Sequence, residues 1–307
     1  SVVLSAAVAT GLLRFGGAFP GNPSPTMAHL DFSLLLAIAS LLALVRALYG
    51  KGGRRGRLPW AAAFLVLTAG LAINIGRGGQ VGFVVGLLVL LPHWSRGRTR
   101  TQIAAALAVL LLAALALAAT APPAVQRIVA GLEELRAAVV EQRWESNIGG
   151  RVAAFRVAGE IFAADPVLGT GVGANMAAFR HLLDTELGEL KPAIYWYRHF
   201  HSQYTQLATE LGIAGVGALG LVFWLLARGP YRSRATSAAA LATAVTYLVA
   251  FVSEPFLQKQ IPLVTFALLG GLFAAHQLDE PVAEEAARVR GGATEPGAGL
   301  SPGPLPQ

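Results

Sequence analysis

The chain has 307 residues, of which 54% are hydrophobic and only 13% charged, and its mean hydropathy is +0.56. A soluble domain carries about a quarter charged residues, so an ordinary soluble fold is excluded, and the lack of cysteine excludes disulfides and thiolate metal sites. The net charge of +7 would suit a nucleic-acid partner in a soluble chain, but here the basic residues sit in short turns between apolar blocks, which membrane topology explains without any nucleic acid.

The opening apolar run ends at Arg14. It is short of the roughly 20 residues a bilayer span needs and lacks the pattern of a signal peptide. It reads as the tail of a helix that begins upstream. Further apolar blocks fall at 30–49, 59–76, 79–92, 101–121, 203–227, 235–252 and 261–276. The block at 79–92 is short for a span unless its helix begins at Gly76 or Arg77. Helices are expected throughout, because backbone in lipid must satisfy its own hydrogen bonds. The basic turns hold Lys51, Arg54, Arg55 and Arg57, then Arg96, Arg98 and Arg100, then Arg228, Arg232 and Arg234, and none holds an acid. They alternate with the segments near 77, 122–202 and 253–260, so the positive-inside rule puts the turns in the cytoplasm and those segments outside.

The fold class expected is therefore all-α: a polytopic transmembrane helical bundle with one long, partly helical periplasmic loop. Residues 1–121 form the N-terminal transmembrane helices, 122–202 the periplasmic loop, 203–278 the C-terminal transmembrane helices and 279–307 a disordered cytoplasmic tail rich in Pro, Gly, Ala and Glu. Within the loop, Leu132, Leu135, Val139 and Val140 share one helical face, a second helix runs from Arg151 to Ala164, and a third from Ala174 to Leu187. Such helices lie on the membrane surface or cap the bundle. No internal repeat is found.

Three residues are candidates for chemistry. Arg77, in Asn74-Ile75-Gly76-Arg77-Gly78-Gly79, lies between two apolar blocks with almost no loop. Either it snorkels from a helix end, or it faces a polar cavity and a paired anion. The glycines around it would let a large anionic group approach the backbone. Arg151 is expected at a helix start, where free N–H groups favour anions; the alternative is a solvated loop arginine. Arg156 is about one turn further on. His201, in His199-Phe200-His201-Ser202-Gln203-Tyr204, lies where the loop re-enters the membrane. It is either a base for a sugar hydroxyl or an interfacial histidine among Tyr195, Trp196, Tyr197 and Phe200. Gly169-Thr170-Gly171-Val172-Gly173 lacks the Lys-Ser/Thr of a phosphate loop and reads as a tight turn. No cluster of His, Asp or Glu stands at metal spacing, so neither metal nor cofactor is expected.

Taken in order, these segments resemble the O-antigen ligase and O-antigen polymerase family of bacterial membrane glycosyltransferases. Phe15 to Pro23 is similar to the family's Gly-x-Phe-x-x-Pro-Asn segment. Gly76-Arg77-Gly78-Gly79 resembles its Ser-Arg-Gly motif, with Gly for Ser. Arg151 followed by Asp165 to Gly173 resembles its Arg…Pro-Leu-x-Gly-x-Gly stretch. His201-Ser202-Gln203-Tyr204 and Glu210 to Gly215 resemble its His-Asn-x-Tyr-Leu…Glu-x-Gly-x-x-Gly signature, with Ser202 where Asn is common.

The resemblance implies transfer of a glycan from undecaprenyl diphosphate to an acceptor sugar at the periplasmic face of the bacterial inner membrane. The acceptor is lipid A–core for a ligase or another glycan for a polymerase. Arg77 and Arg151 would bind the diphosphate and act in catalysis with His201. Arg14, Asn22, Arg156, His199, Gln203 and Tyr204 would line the site. The partners implied are the lipid-linked donor, the acceptor and membrane lipid. The alternative of another class is a transporter or flippase of a lipid-linked or anionic solute.

Overall fold

The computed structural model describes residues 2–10, 12, 27–50, 53–96, 99–101, 103 and 122–291. Among them are eleven α-helices and no strand. They are α1 (Val2–Ala9), α2 (His29–Tyr49), α3 (Gly53–Ile73), α4 (Arg77–Ser95), α5 (Pro122–Val140), α6 (Asn147–Ala164), α7 (Asn175–Thr185), α8 (Lys191–Ile194), α9 (Gln203–Arg228), α10 (Arg234–Ala250) and α11 (Gln260–Gly291). Four of them, α2, α3, α4 and α9, are long and apolar enough to cross a membrane. The short apolar block at 79–92 becomes the 19-residue helix Arg77–Ser95 because it is extended by Arg77 and Gly78 at its start and by His93, Trp94 and Ser95 at its end. The block at 104–121 lies outside the described residues.

Helix α11 departs from the expected boundary at 279 by continuing to Gly291. Ala, Glu and Arg fill positions 283–288 and are strong helix formers, so the start of the tail is helical. Residues 292–307 lie outside the described residues.

The bundle is centred on α10, which is short and rich in alanine. Ala238, Ala240, Ala242, Ala244 and Ala250 are buried against α2, α4 and α9. From the other side α4 offers Gly78, Gly82 and Gly86, four residues apart and therefore on one face. A methyl carbon on Gly82 would lie 2.9 Å from Thr246 O, and one on Gly86 would lie 2.6 Å from Leu41 Cδ1. Small residues at this spacing let membrane helices approach backbone to backbone, where packing rather than the hydrophobic effect holds them.

Both ends of the bundle can be identified from contacts. At one end Tyr49 Oη lies 3.1 Å from His93 Nδ1, and Arg234 donates to His93 O. This end gathers the last turns of α2 and α4 and the first turn of α10, so it carries the basic turns. At the other end are His29, Arg77, Ser253 and the segment 122–202.

That segment has its own core. Val157 and Ile161 of α6, Phe179 and Leu183 of α7, and Leu190, Ile194, Tyr197 and Phe200 pack together. On α5 the face of Leu132, Leu135, Val139 and Val140 is helical as predicted and exposed.

The glycine turn at 169–173 docks the segment onto the bundle. Helix α9 is broken at Gly212, whose φ of +60° suits glycine. The break frees the carbonyls of Thr209 and Glu210 from their helical partners. Thr170 N–H donates to Thr209 O and Gly171 N–H to Glu210 O, each at 2.9 Å. In exchange Ile213 N–H donates to Pro166 O at 2.9 Å. Two separated sequence motifs thus complete one another's backbone hydrogen bonding.

Candidate functional site

Helix α9 begins at Gln203, and its first residues fix the turn that follows α10. Gln203 N–H donates to Phe251 O, and Gln203 Oε1 accepts from Leu257 N–H at 2.9 Å. Tyr204 Oη donates to Leu248 O at 2.7 Å. These contacts hold the 251–259 turn beside the residues preceding α9, so Glu254 meets His201. Gln203 and Tyr204 were expected to line the site. Their polar atoms are instead engaged with backbone, and Gln203 is 2% exposed, so their part is to hold the turn in place.

Glu254 is the centre of the cluster. It is 2% exposed and surrounded by three nitrogens. His201 Nδ1 lies 3.1 Å from Oε2, His199 Nε2 3.4 Å from Oε1, and Lys259 Nζ 3.1 Å from Oε1. Lys259 also bonds Asp31 Oδ1, at the start of α2, at 3.0 Å. Burial alone would raise the Glu254 carboxyl. The hydrogen bond with His201 and the charges of Lys259 and the histidines override it and hold the group down at about 2. Glu254 is therefore a carboxylate that can only accept, which assigns the proton on His201 to Nδ1. In the neutral ring Nε2 then carries the free lone pair.

His201 has φ of +53°, rare for a residue with a side chain. Its N–H donates to His199 Nδ1 at 3.2 Å, and its ring packs edge-on against Tyr197 and His199, with centroids 4.7 and 4.2 Å away. Burial lowers the His199 imidazole, and Glu254 only partly offsets this. Burial also raises the Tyr197 phenol, against the charge of Arg151.

The nitrogens of His199 and His201 and a Glu254 oxygen lie within 4.8 Å of one another, a donor set that the sequence reading did not find. Such a set is chemically suited to a divalent metal. Two features fit it poorly. His199 Nδ1 already accepts a hydrogen bond, so the proton of the neutral ring sits on Nε2, the nitrogen that would have to bind the metal. The Lys259 ammonium also sits against the same carboxylate. A hydrogen-bonded network fits both features.

The two arginines stand at this end of the bundle on different helices. Arg151 lies in the second turn of α6. Its neighbour Gly150 abuts the Tyr197 hydroxyl, and the Arg151 charge acts on both Tyr197 and His199. Helix α6 starts at Asn147, four residues earlier than expected, because Ser146 caps it by accepting from Gly149 N–H at 2.9 Å. Glu134 of α5 accepts from Ile148 N–H at 3.1 Å. The expectation of free N–H groups around Arg151 is thus corrected: two are already occupied, and any anion binding falls to the guanidinium.

Arg77 opens α4. A methyl carbon on Gly131 of α5 would lie 2.9 Å from Arg77 Nη1 and 3.4 Å from Ile148 Cδ1. The guanidinium therefore reaches toward the start of α6. The next residue, Gly78, abuts Ser253, the neighbour of Glu254. The glycines around Arg77 also need correction. The space a side chain would fill at Gly76 and Gly79 is taken by Ser33 and the α2 backbone. They admit neighbouring protein, not a ligand. Among the described residues neither Arg77 nor Arg151 is paired with a carboxylate.

Arg156 does not join them. It is exposed and pairs with Glu189 at 3.2 Å on the surface of the segment. Arg14 and Asn22 lie outside the described residues. Glu254, Lys259 and Asp31 were missed because their partners are far away in sequence. In the sequence each is an acid or base at the edge of an apolar block, a signal that names no partner.

A family model described as O-antigen ligase matches residues 61–219, just over half of the chain. The stretch contains Arg77, Arg151, His199, His201 and the 169–173 turn, and leaves Asp31, Glu254 and Lys259 outside. No curated protein matches the chain.

Proposed function

The chain belongs to the O-antigen ligase family, and from that membership we propose that it moves a glycan from undecaprenyl diphosphate to an acceptor sugar, lipid A–core in the ligase reading. What supports the proposal is that two guanidiniums, free of carboxylate partners among the described residues, stand at the same end of the bundle as His201, whose Nδ1 lies 3.1 Å from a buried carboxylate. That end of the membrane bundle lies opposite its basic turns. By the positive-inside rule that end faces the periplasm of the inner membrane.

In the reaction proposed, Arg77 and Arg151 hold the donor diphosphate. Guanidinium forks match phosphate oxygens bidentately and stay charged at any working pH. His201 Nε2 takes the proton of the acceptor hydroxyl. The hydroxyl oxygen bonds the anomeric carbon from the face opposite the diphosphate, inverting it. The bond from that carbon to the diphosphate oxygen breaks, and its electron pair leaves with the diphosphate. The arginines meet the charge that develops there, so the step needs no metal. The exposed apolar face of α5, over the Arg77 side chain, suits a site that a lipid donor enters from the bilayer.

The test uses purified chain, a lipid-diphosphate glycan, and lipid A–core or glycan acceptors in separate reactions. A joined product with released undecaprenyl diphosphate is expected. Arg77→Lys and Arg151→Lys keep the charge but lose the bidentate fork, and each should lower kcat by up to roughly 100- to 1,000-fold, the cost of removing one transition-state hydrogen-bond donor. Solute movement without a covalent product would identify a transporter instead. Full activity in Arg77→Ala, Arg151→Ala and His201→Ala would remove the site.

A further inference from the structure

Glu254 lies outside the stretch that defines the family match, yet it is the most enclosed charged group at the candidate site. Resting on the reading of His201 as the base, we propose that Glu254 is its positioning residue: it accepts the Nδ1–H, fixes the ring, and leaves Nε2 to meet the acceptor hydroxyl.

The geometry supports this in three ways. The contact from Nδ1 to Oε2 is 3.1 Å. The carboxylate is itself anchored through Oε1 by Lys259, which Asp31 holds in turn, so it is fixed independently of His201. The strained backbone at His201 and its edge-on packing against Tyr197 and His199 leave the ring little freedom to turn. The groups facing His201 are Glu254 and Lys259 from the 251–259 turn, and Tyr197 and His199 from its own loop. Arg151 of α6 stands behind them, and Asp31 of α2 stands behind Lys259. When the imidazole becomes imidazolium during transfer, Glu254 is the one carboxylate among the described residues in contact with it.

Lys259 also makes the test specific. In Glu254→Gln the amide oxygen stays with the ammonium, which turns the NH2 toward His201 Nδ1. The ring must then carry its proton on Nε2, the wrong tautomer for a base. This is the logic by which an amide replacing the acid of a catalytic triad fails.

The experiment compares full-chain wild type, Glu254→Gln, Glu254→Asp and His201→Ala in the transfer assay across pH, with 15N NMR of the histidine rings. Expected are a fall in kcat of at least about 100-fold in Glu254→Gln, an unchanged KM for the lipid donor, and partial recovery in Glu254→Asp. The pH–rate profile of Glu254→Gln should differ from that of the wild type, because the amide cannot accept the Nδ1–H as the carboxylate does. In the wild type, NMR should show Nδ1 protonated and Nε2 bare. Wild-type kcat and pH profile in Glu254→Gln, alongside inactive His201→Ala, would overturn the assignment. If the wild type transfers no glycan, the proposed function fails, and the NMR still decides the Glu254–His201 pair: a bare Nδ1 rejects it. Should Glu254→Gln fail to fold, Glu254→Asp and the wild-type spectrum decide.

Discussion

Around Glu254, protonation and folding are linked, and the direction can be worked out for each group. The Glu254 carboxyl is depressed from 4.5 to about 2. Its contribution to stability is therefore complete above 4.5 and disappears as pH falls toward 2. The His199 imidazole is lowered below 6.5, chiefly by burial. A group kept neutral in this way stabilises fully above 6.5 and less as pH drops, since the unfolded chain binds the proton better. Acid weakens the cluster through both. Thermal melts of wild type and Glu254→Gln should differ near neutral pH and converge between 4.5 and 2, where the wild type loses what the variant already lacks. A gap that stays constant over that window would mean that the carboxylate is not held as described.

At the level of helices, function depends on how closely α4 can approach α10. The face of Gly78, Gly82 and Gly86 lies on Ser253, Thr246 and Leu41, and this contact sets Arg77 next to the turn bearing Glu254. Gly82→Leu would drive a side chain into the Thr246 backbone. Overpacking of this kind costs about 1–3 kcal/mol, so the variant should show a lower melting temperature in detergent. It should also show reduced transfer although no proposed site residue has changed. Normal stability would mean that α4 and α10 are not in backbone contact. The exchange of hydrogen bonds between the 165–173 turn and the break at Gly212 plays the same part for α9, docking the segment that carries Arg151 onto the bundle.

For the molecule as a whole, the arrangement is two-ended, with basic turns at one end and the candidate site at the other. The chain has no cysteine, so single cysteines can report sidedness without background. A cysteine replacing exposed Trp196 should react with a membrane-impermeant maleimide added outside intact inner membrane. One replacing exposed Arg55 should react only after the membrane is opened. The reverse pattern would invert the topology and put the chemistry in the cytoplasm.

The amino-acid sequence by itself determined the helical class, most of the apolar helices and the nomination of Arg77, Arg151 and His201. Those features are local: continuous apolar runs, charge confined to turns, and short motifs whose members are neighbours in the chain. It also located the Gly169–Gly173 turn, but not its docking on α9. Only the tertiary structure decided that Glu254, 53 residues beyond His201, is its partner. It also decided that the glycines beside Arg77 make room for α2 and for Ser253, and that Arg156 pairs with Glu189 on the surface. The reason is physical. Hydrogen bonds and close packing depend on distance in space, and a linear pattern carries no record of which buried carboxylate will meet which imidazole once the helices have packed.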